Sequence, residues 1–233
     1  MKAILFDIDG TLVDSNDLHV QAWLDAFREF GKELALADLH QQMGKGGDQL
    51  IPVFCSPAEV ERFGSALEAR RVEIFTRKYA PRVRPLPKVR ELFERMHREG
   101  LRIALASSAK ASEVKAHAQT LGVTELVEAS TSADDVEHSK PCPDIFEAAL
   151  ATVSGVAPDE AIVIGDTPYD VIAAQRAGLR TVAVLSGGFA EKDLLESGAV
   201  ELYRDVADLL ARYDESIIAR ERPQTASFVP RVC

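Results

Sequence analysis

The sequence predicts an α/β protein in which a parallel sheet is wrapped by helices and a helical block is inserted near the start. Three observations predict it. The chain opens on an apolar run, Ala3-Ile4-Leu5-Phe6, that stops abruptly at Asp7 and Asp9, the form of a buried strand delivering acids to a loop. From Pro87 onward helical periods alternate with short apolar runs, which is how a parallel sheet with crossover helices reads. Between Thr11 and Leu101 no strand pattern interrupts the helical spacing.

Taken in order, Asp14-Ser15 offers an N-cap, and Leu18, Ala22, Ala26, Phe27 and Phe30 recur at helical spacing until Gly31. Gly44-Lys45-Gly46-Gly47-Asp48 is a break. Ser56-Pro57-Ala58-Glu59 is a capping box with proline at the first helical position, opening a helix that runs toward Tyr79 before Pro81 stops it. A helix over 88–98 ends at Gly100, and the strand Arg102-Ile103-Ala104-Leu105-Ala106 stops at Ser107-Ser108. A further helix reaches Leu121-Gly122, and a strand follows over 126–130. In Ser139-Lys140-Pro141-Cys142-Pro143-Asp144 each residue before a proline is pushed out of the helical region, so the segment is extended and stiff. After a helix over 145–153, the strand Ala161-Ile162-Val163-Ile164-Gly165 again ends in an acid, Asp166. Thr167-Pro168-Tyr169-Asp170 starts a helix that closes at Gly178, and a strand over 181–184, one near 200–203 and a helix near 205–213 complete the pattern. The expected division is a core of residues 1–14 and 82–214, a helical insert of residues 15–81, and a tail, 215–233, to which no role is assigned.

Bulk properties narrow the function. The 233 residues carry a formal charge of -10, which argues against nucleic acid or an anionic membrane as partner, since both are met through basic patches. An anionic substrate would need local counter-charge. Cys55, Cys142 and Cys233 are odd in number and far apart, fitting neither a disulfide framework nor a zinc site, so they are expected as reduced thiols in a cytoplasmic protein. The chain begins at the strand itself, without room for a signal peptide, and no apolar run approaches bilayer-spanning length. Oligomeric state is not encoded legibly.

The polar residues that follow the strands are Asp7, Asp9, Ser107, Asp166 and Asp170. Ligands of open parallel sheets bind beyond the carboxyl ends of the strands, so these segments are expected to meet, with Lys140 joining from its stiff loop. On a strand, residues two apart point the same way. Two carboxylates held that close repel, which implies a bound cation or a shared proton. An Asx-type turn after a strand is the plain alternative for Asp-x-Asp-Gly.

Asp7-Ile8-Asp9-Gly10-Thr11, Ser107 after an apolar strand, Lys140 in Ser-Lys-Pro, and Gly165-Asp166-Thr167-Pro168-Tyr169-Asp170 resemble, in order, the four motifs of the haloacid dehalogenase-like hydrolase superfamily. The resemblance spans nearly the whole chain and is closest to the phosphatase and β-phosphoglucomutase branch. It implies a Rossmann-like core, a three-layer α/β/α parallel sheet, with a helical cap inserted after the first motif. It also implies Asp7 as a nucleophile forming an aspartyl-phosphate, Asp9 as acid then base, and Mg2+ held by Asp7, the Asp9 carbonyl and Asp166. Phosphoryl transfer needs such positioning and cancellation of negative charge. Asp170 either supports the metal, directly or through a neighbour, or caps its helix, and the two roles are compatible. Ser107 and Ser108 would bind phosphate, or else cap the following helix. Lys140 supplies positive charge, with Lys110 as runner-up. Thr11 is placed with the phosphate-binding set, where its hydroxyl would orient the loop.

An acid at Asp9 suits an alkoxide leaving group, so the expected reaction is hydrolysis of a small phosphorylated metabolite, such as a sugar phosphate or a phosphoglycolate-like compound. His19 faces either the cleft or the packing, and Lys45 and Gly46 belong either to a substrate-reading loop or to a plain turn. One alternative is a phosphomutase: Ser15, His19 and Trp23 follow the first motif much as in β-phosphoglucomutases, but the Gly44–Asp48 stretch lacks the arginine those mutases place there. The other is a non-catalytic metabolite-binding protein on the same fold.

Overall fold

The computed structural model describes residues 1–222. The expected tail therefore lies partly outside the described residues, as does Cys233. Strand β1 is Ala3–Phe6, and a two-residue strand β2, Val13–Asp14, follows it. Helices α1 (Asn16–Glu29), α2 (Leu36–His40), α3 (Gly47–Phe54) and α4 (Pro57–Ile74) come next. The last turn of α4 widens into a π-turn over Phe75–Tyr79, and β3, Arg84–Pro85, returns the chain. Then come α5 (Val89–Arg98), β4 (Arg102–Ala106), α6 (Ala111–Leu121), β5 (Ala129–Thr131), α7 (Asp144–Thr152) and β6 (Ala161–Gly165). The remainder is α8 (Pro168–Arg176), β7 (Arg180–Val184), α9 (Glu191–Glu196), β8 (Glu201–Tyr203), α10 (Val206–Ala211) and α11 (Ile217–Arg220).

Six strands form one sheet in the order β5-β4-β1-β6-β7-β8, every pairing parallel. Strands buried on both faces read as continuous apolar runs, and all four residues of β1 are buried. The strand period of two divides their side chains between two cores. Ile4, Phe6, Ile103, Leu105, Ile162 and Ile164 pack on one face, and the smaller set Leu5, Ala104, Ala106 and Val163 packs on the other, against α7 and α8. Helix α5 seats Val89, Leu92, Phe93 and Met96 on the sheet, with the Phe93 ring 4.6 Å from that of Phe6.

The helical block α1–α4 adds no strand to this sheet. The chain enters and leaves it through β2 and β3, which pair antiparallel with Val13 opposite Pro85 and Asp14 opposite Arg84. This ribbon departs from the expectation of no strand between Thr11 and Leu101, because two residues are too few to show a period. The strand expected over 126–130 begins only at Ala129, since Leu126 and Val127 pack as partly buried residues against the core. The Ser56–Glu59 box forms as read, the Ser56 amide donating to Glu59 Oε2 at 2.8 Å. Past residue 214 the chain continues as α11, whose Ile218 is fully buried. No helix among the described residues is long and apolar enough to cross a membrane.

Candidate active site

Neighbouring strands β4, β1 and β6 all end at one edge of the sheet, so Ser107, Asp7 and Asp166 emerge side by side. The Asp7 amide stays in register with the sheet through the Ile164 carbonyl at 2.9 Å, and the Ser107 amide does so through Thr131 at 3.1 Å. From the segment between β5 and α7, Lys140 reaches in with no exposure at all. Its ammonium donates to Asp7 Oδ1 at 2.5 Å and to the Ala106 carbonyl at 3.3 Å, and lies 2.7 Å from Asp170 Oδ1. Burial works to lower the lysine's pKa, but Asp170 and Asp7 outweigh that effect and hold it above the ordinary lysine range.

One oxygen from each of Asp7, Asp166 and Asp170 lies within 4.8 Å of the others, and all three residues are buried. Burial pushes the Asp7 carboxyl up, Asp170 and Asp9 add to the rise, and Lys140 opposes it. Asp166 is likewise raised, by burial first and then by Asp7 and Asp170. One lysine does not balance three buried acids. A hard divalent cation with oxygen ligands suits this donor set, which therefore fits the expected Mg2+.

The surroundings of Asp166 are shaped for it. Thr11 donates to its Oδ1 at 2.9 Å and Asn16 to its Oδ2 at 2.8 Å. At Gly187 an added Cβ would stand 1.7 Å from Asp166 Oδ2, and at Gly10, where φ is +77°, it would stand 2.3 Å away. The Thr11 hydroxyl, expected to orient the loop among the phosphate-binding set, faces Asp166, and Asp7 at 3.3 Å, because the turn after β1 folds it inward. Asp170 forms the expected capping box, accepting from the Thr167 amide at 3.0 Å while its other oxygen faces Lys140.

Asp9 does not share the direction of Asp7. Strand β1 ends at Phe6 and Asp7 keeps one further bond to the sheet, so Asp9 lies past the pairing, where the strand period no longer applies. The Asp9 carboxylate instead accepts from the Ser15 hydroxyl at 2.6 Å and lies 3.0 Å from His19 Nε2 and 3.8 Å from His117 Nε2. Burial would raise its pKa, but His19, His117 and Ser15 more than reverse this and hold it well below the usual carboxylate range. For the same reason Ser15 does not cap α1 as expected, its hydroxyl being engaged by Asp9. His19 stacks flat on Phe75, the ring centres 3.9 Å apart.

A cleft of about 40 Å³ opens over these groups, room for a few waters or a compact anionic group. Asp7, Asp9 and Ser107 form its floor, and Trp23, Lys45 and Arg71 face them from the helical block. Arg71 lies over Trp23, 5.1 Å from the ring centre, and its buried Nε has no hydrogen-bond partner. Lys45 donates to Gln42 at 2.6 Å and sits 4.5 Å from the Tyr169 ring centre. Gly46 contacts the core instead, its amide donating to Ser139 Oγ at 2.8 Å. The Ser108 hydroxyl is bonded to the Gly44 carbonyl at 3.2 Å, and Lys110 turns outward to Asp134. Sequence reasoning missed Asn16, Arg71 and His117. A signal existed for Arg71 alone, a charged residue on the buried stripe Leu67, Arg71, Ile74 and Phe75.

The family model described as haloacid dehalogenase-like hydrolase matches residues 4–184. The Arabidopsis thaliana chloroplastic protein Suppressor of Quenching 1 is 36% identical over 213 residues, 90% of this chain, which spans only 20% of that relative's length. A phosphorylated carbohydrates phosphatase from Thermotoga maritima is 29% identical over 88% of this chain and 94% of its own. The crystal structure of a hydrolase from Pseudomonas syringae superposes with a TM-score of 0.81 at 31% identity, covering 92% of this chain and 98% of that one.

Proposed function

The chain belongs to the haloacid dehalogenase-like hydrolase family, and we propose from that premise that it is a magnesium-dependent phosphatase acting on a small phosphorylated carbohydrate or a similar metabolite. The observation that carries the reading is Asp7 itself, bonded to the buried Lys140 at 2.5 Å, clustered with Asp166 and Asp170, and open to the cleft. The name of the Thermotoga maritima relative supports the substrate class. Asp7, Asp166 and the Asp9 carbonyl would hold the ion. When bound, Mg2+ supplies the positive charge that lets an anionic carboxylate approach an anionic phosphate.

An Asp7 oxygen attacks phosphorus, the bond to the substrate oxygen breaks, and the leaving alkoxide takes a proton from Asp9. Water then attacks the aspartyl-phosphate while Asp9 recovers a proton from it. The ionised form that His19 and Ser15 favour suits the second step, and in the first Asp9 must arrive carrying the proton it gives. Lys140 offsets the charge of Asp7 and the phosphoryl group, and Asp170 keeps the lysine aimed. Residues 15–81 act as a cap that excludes bulk water and selects the substrate. The free thiols Cys55 and Cys142 support a reducing, cytoplasmic setting.

Release of inorganic phosphate from a panel of sugar phosphates, phosphoglycolate and nucleotides with Mg2+ tests the reading. Activity on at least one, abolished by Asp7→Asn, is the expected result, and inactivity of the folded protein on all of them sinks it. Arg71 favours a second reading, because it puts into the cleft the arginine that the Gly44–Asp48 loop lacks and that could hold a second phosphoryl group. β-Glucose 1-phosphate separates the two: free glucose marks the phosphatase, glucose 6-phosphate the mutase.

A further inference from the structure

Around the phosphate end of the cleft the helical block meets the core at a few polar contacts, and their positions are ordered. The Ser108 hydroxyl donates to the Gly44 carbonyl at 3.2 Å, and the Gly46 amide donates to Ser139 Oγ at 2.8 Å. Ser139 in turn gives its hydroxyl to Asp48 Oδ1 at 2.5 Å and its amide to Asp48 Oδ2 at 3.0 Å. Each of the two core serines is the immediate chain neighbour of a residue assigned to phosphate, Ser107 or Lys140. Gly46 makes the approach possible, since a Cβ there would stand 2.7 Å from Ser139 Cβ and Oγ. Asp48 has no part in the chemistry described above, yet its carboxylate points across the seam from the first turn of α3.

We propose that Asp48 and Ser139 form a latch that couples cap closure to the setting of the Lys140 loop, so that the phosphate site is complete only with the cap down. Asp48 is then a positioning residue acting through Ser139. The inference rests on the phosphatase reading for what Lys140 does. One carboxylate holds both the amide and the hydroxyl of Ser139, and the following residue carries the ammonium that meets Asp7 and Asp170. Because Lys140 follows Ser139 directly and is itself followed by Pro141, which restricts it, a shift of Ser139 is passed to Lys140 rather than absorbed. Ser139 is buried, whereas Asp48 is exposed, so the latch is a charge-assisted pair screened by water, weak enough to break in each cycle. Gln49 Nε2, 3.2 Å from Asp48 Oδ2, offers the carboxylate a partner within the cap when the latch is open.

Asp48→Ala, Ser139→Ala and the double variant test the pairing, with p-nitrophenyl phosphate and Mg2+ as assay and melting temperature as the check on folding. Each single change is expected to raise KM roughly tenfold, the size of one charge-assisted hydrogen bond, with kcat less affected. The double change should be no worse than the worse single, because the two residues act as one unit. Asp48→Asn, which keeps one acceptor, should fall between. Trp23, the only tryptophan, lines the cleft and gives a readout independent of turnover. Its fluorescence, titrated with inorganic phosphate and Mg2+, should half-saturate at roughly tenfold more phosphate in the single variants. Additive losses in the double variant, singles with wild-type KM and phosphate titration, or a wild-type Trp23 signal that phosphate leaves unchanged would each overturn the latch. A wild type that hydrolyses nothing, but shows the non-additive Trp23 pattern, keeps the latch and removes the phosphatase.

Discussion

The two walls of the cleft are built differently. On the core wall Asp7, Lys140, Asp166 and Asp170 are buried, and each side chain is held by at least two others. Facing them, Arg71 has an unpaired Nε, and Lys45 has one hydrogen bond, to a neutral amide. The core wall thus carries opposed charges whose geometry cannot relax separately, while the other keeps cations free for a ligand. On the proposed function, chemistry that must be positioned closely would sit on the sheet ends, and selection where side chains still have bonds to make.

The largest test of this contrast is to break the core wall at its cation. Lys140→Ala leaves buried acids without their counter-charge, and about 3–5 kcal/mol of stability should go with it, together with turnover. Asp7→Asn should cut turnover at least about a thousandfold while the melting temperature holds or rises, because it removes a destabilised acid. A Lys140→Ala protein that melts with the wild type would end the claim that this charge organises the wall.

Next in size is the response to metal and pH. Burial raises Asp166 and carries Asp7 to about 7 despite the opposition of Lys140. The folded values lie above the unfolded ones, so what these groups add to stability is complete below about pH 4 and is lost as pH rises, for Asp7 through about 7. A cation that favours the ionised forms counters that loss. Added Mg2+ should therefore raise the melting temperature more at pH 8 than at pH 5, by about 5 °C in a thermal-shift series. Equal gains at the two values would mean that the acids are not the ion's site.

The cap wall should show the opposite signature. Arg71→Ala is expected to raise KM about 10- to 100-fold for a substrate with a second anionic group, and to change kcat on p-nitrophenyl phosphate less than about threefold, with little effect on melting. Lys45→Ala, on a lysine whose pKa burial lowers, should raise KM only about threefold. If either change lowered kcat as severely as a core-wall change, the division of labour between the walls would be wrong.

Much of the core wall was legible in the sequence for a physical reason. Buried parallel strands leave continuous apolar runs, and whatever polar residue ends such a run stands at the ligand edge. Asp7, Ser107 and Asp166 were found that way, Lys140 by the prolines that stiffen its segment, and the Thr167–Asp170 box by its spacing. The direction of Asp9 was not legible, because the strand period holds only to Phe6 and a turn sets its own geometry. Ser15 fits an N-cap by type, and only the fold reveals that Asp9 lies nearer than the helix amides. Asn16 and His117 join the site through contacts more than 100 residues apart in sequence. No local pattern anticipates these.

The ribbon of β2 and β3 has a mechanical consequence. Both crossings between sheet and helical block pass through one pair of antiparallel strands, two residues each, so the block hangs from a single axle rather than from two separated tethers. Rotation about that axle needs only small dihedral changes on either side of it and stretches nothing. His19 and Arg71 both belong to the helical block and meet at the Phe75 ring, 3.9 Å from the His19 ring centre and 5.9 Å from the Arg71 guanidinium. A swing of the block therefore carries the two together. The contact beside Asp9 and the door to the cleft open and close as one.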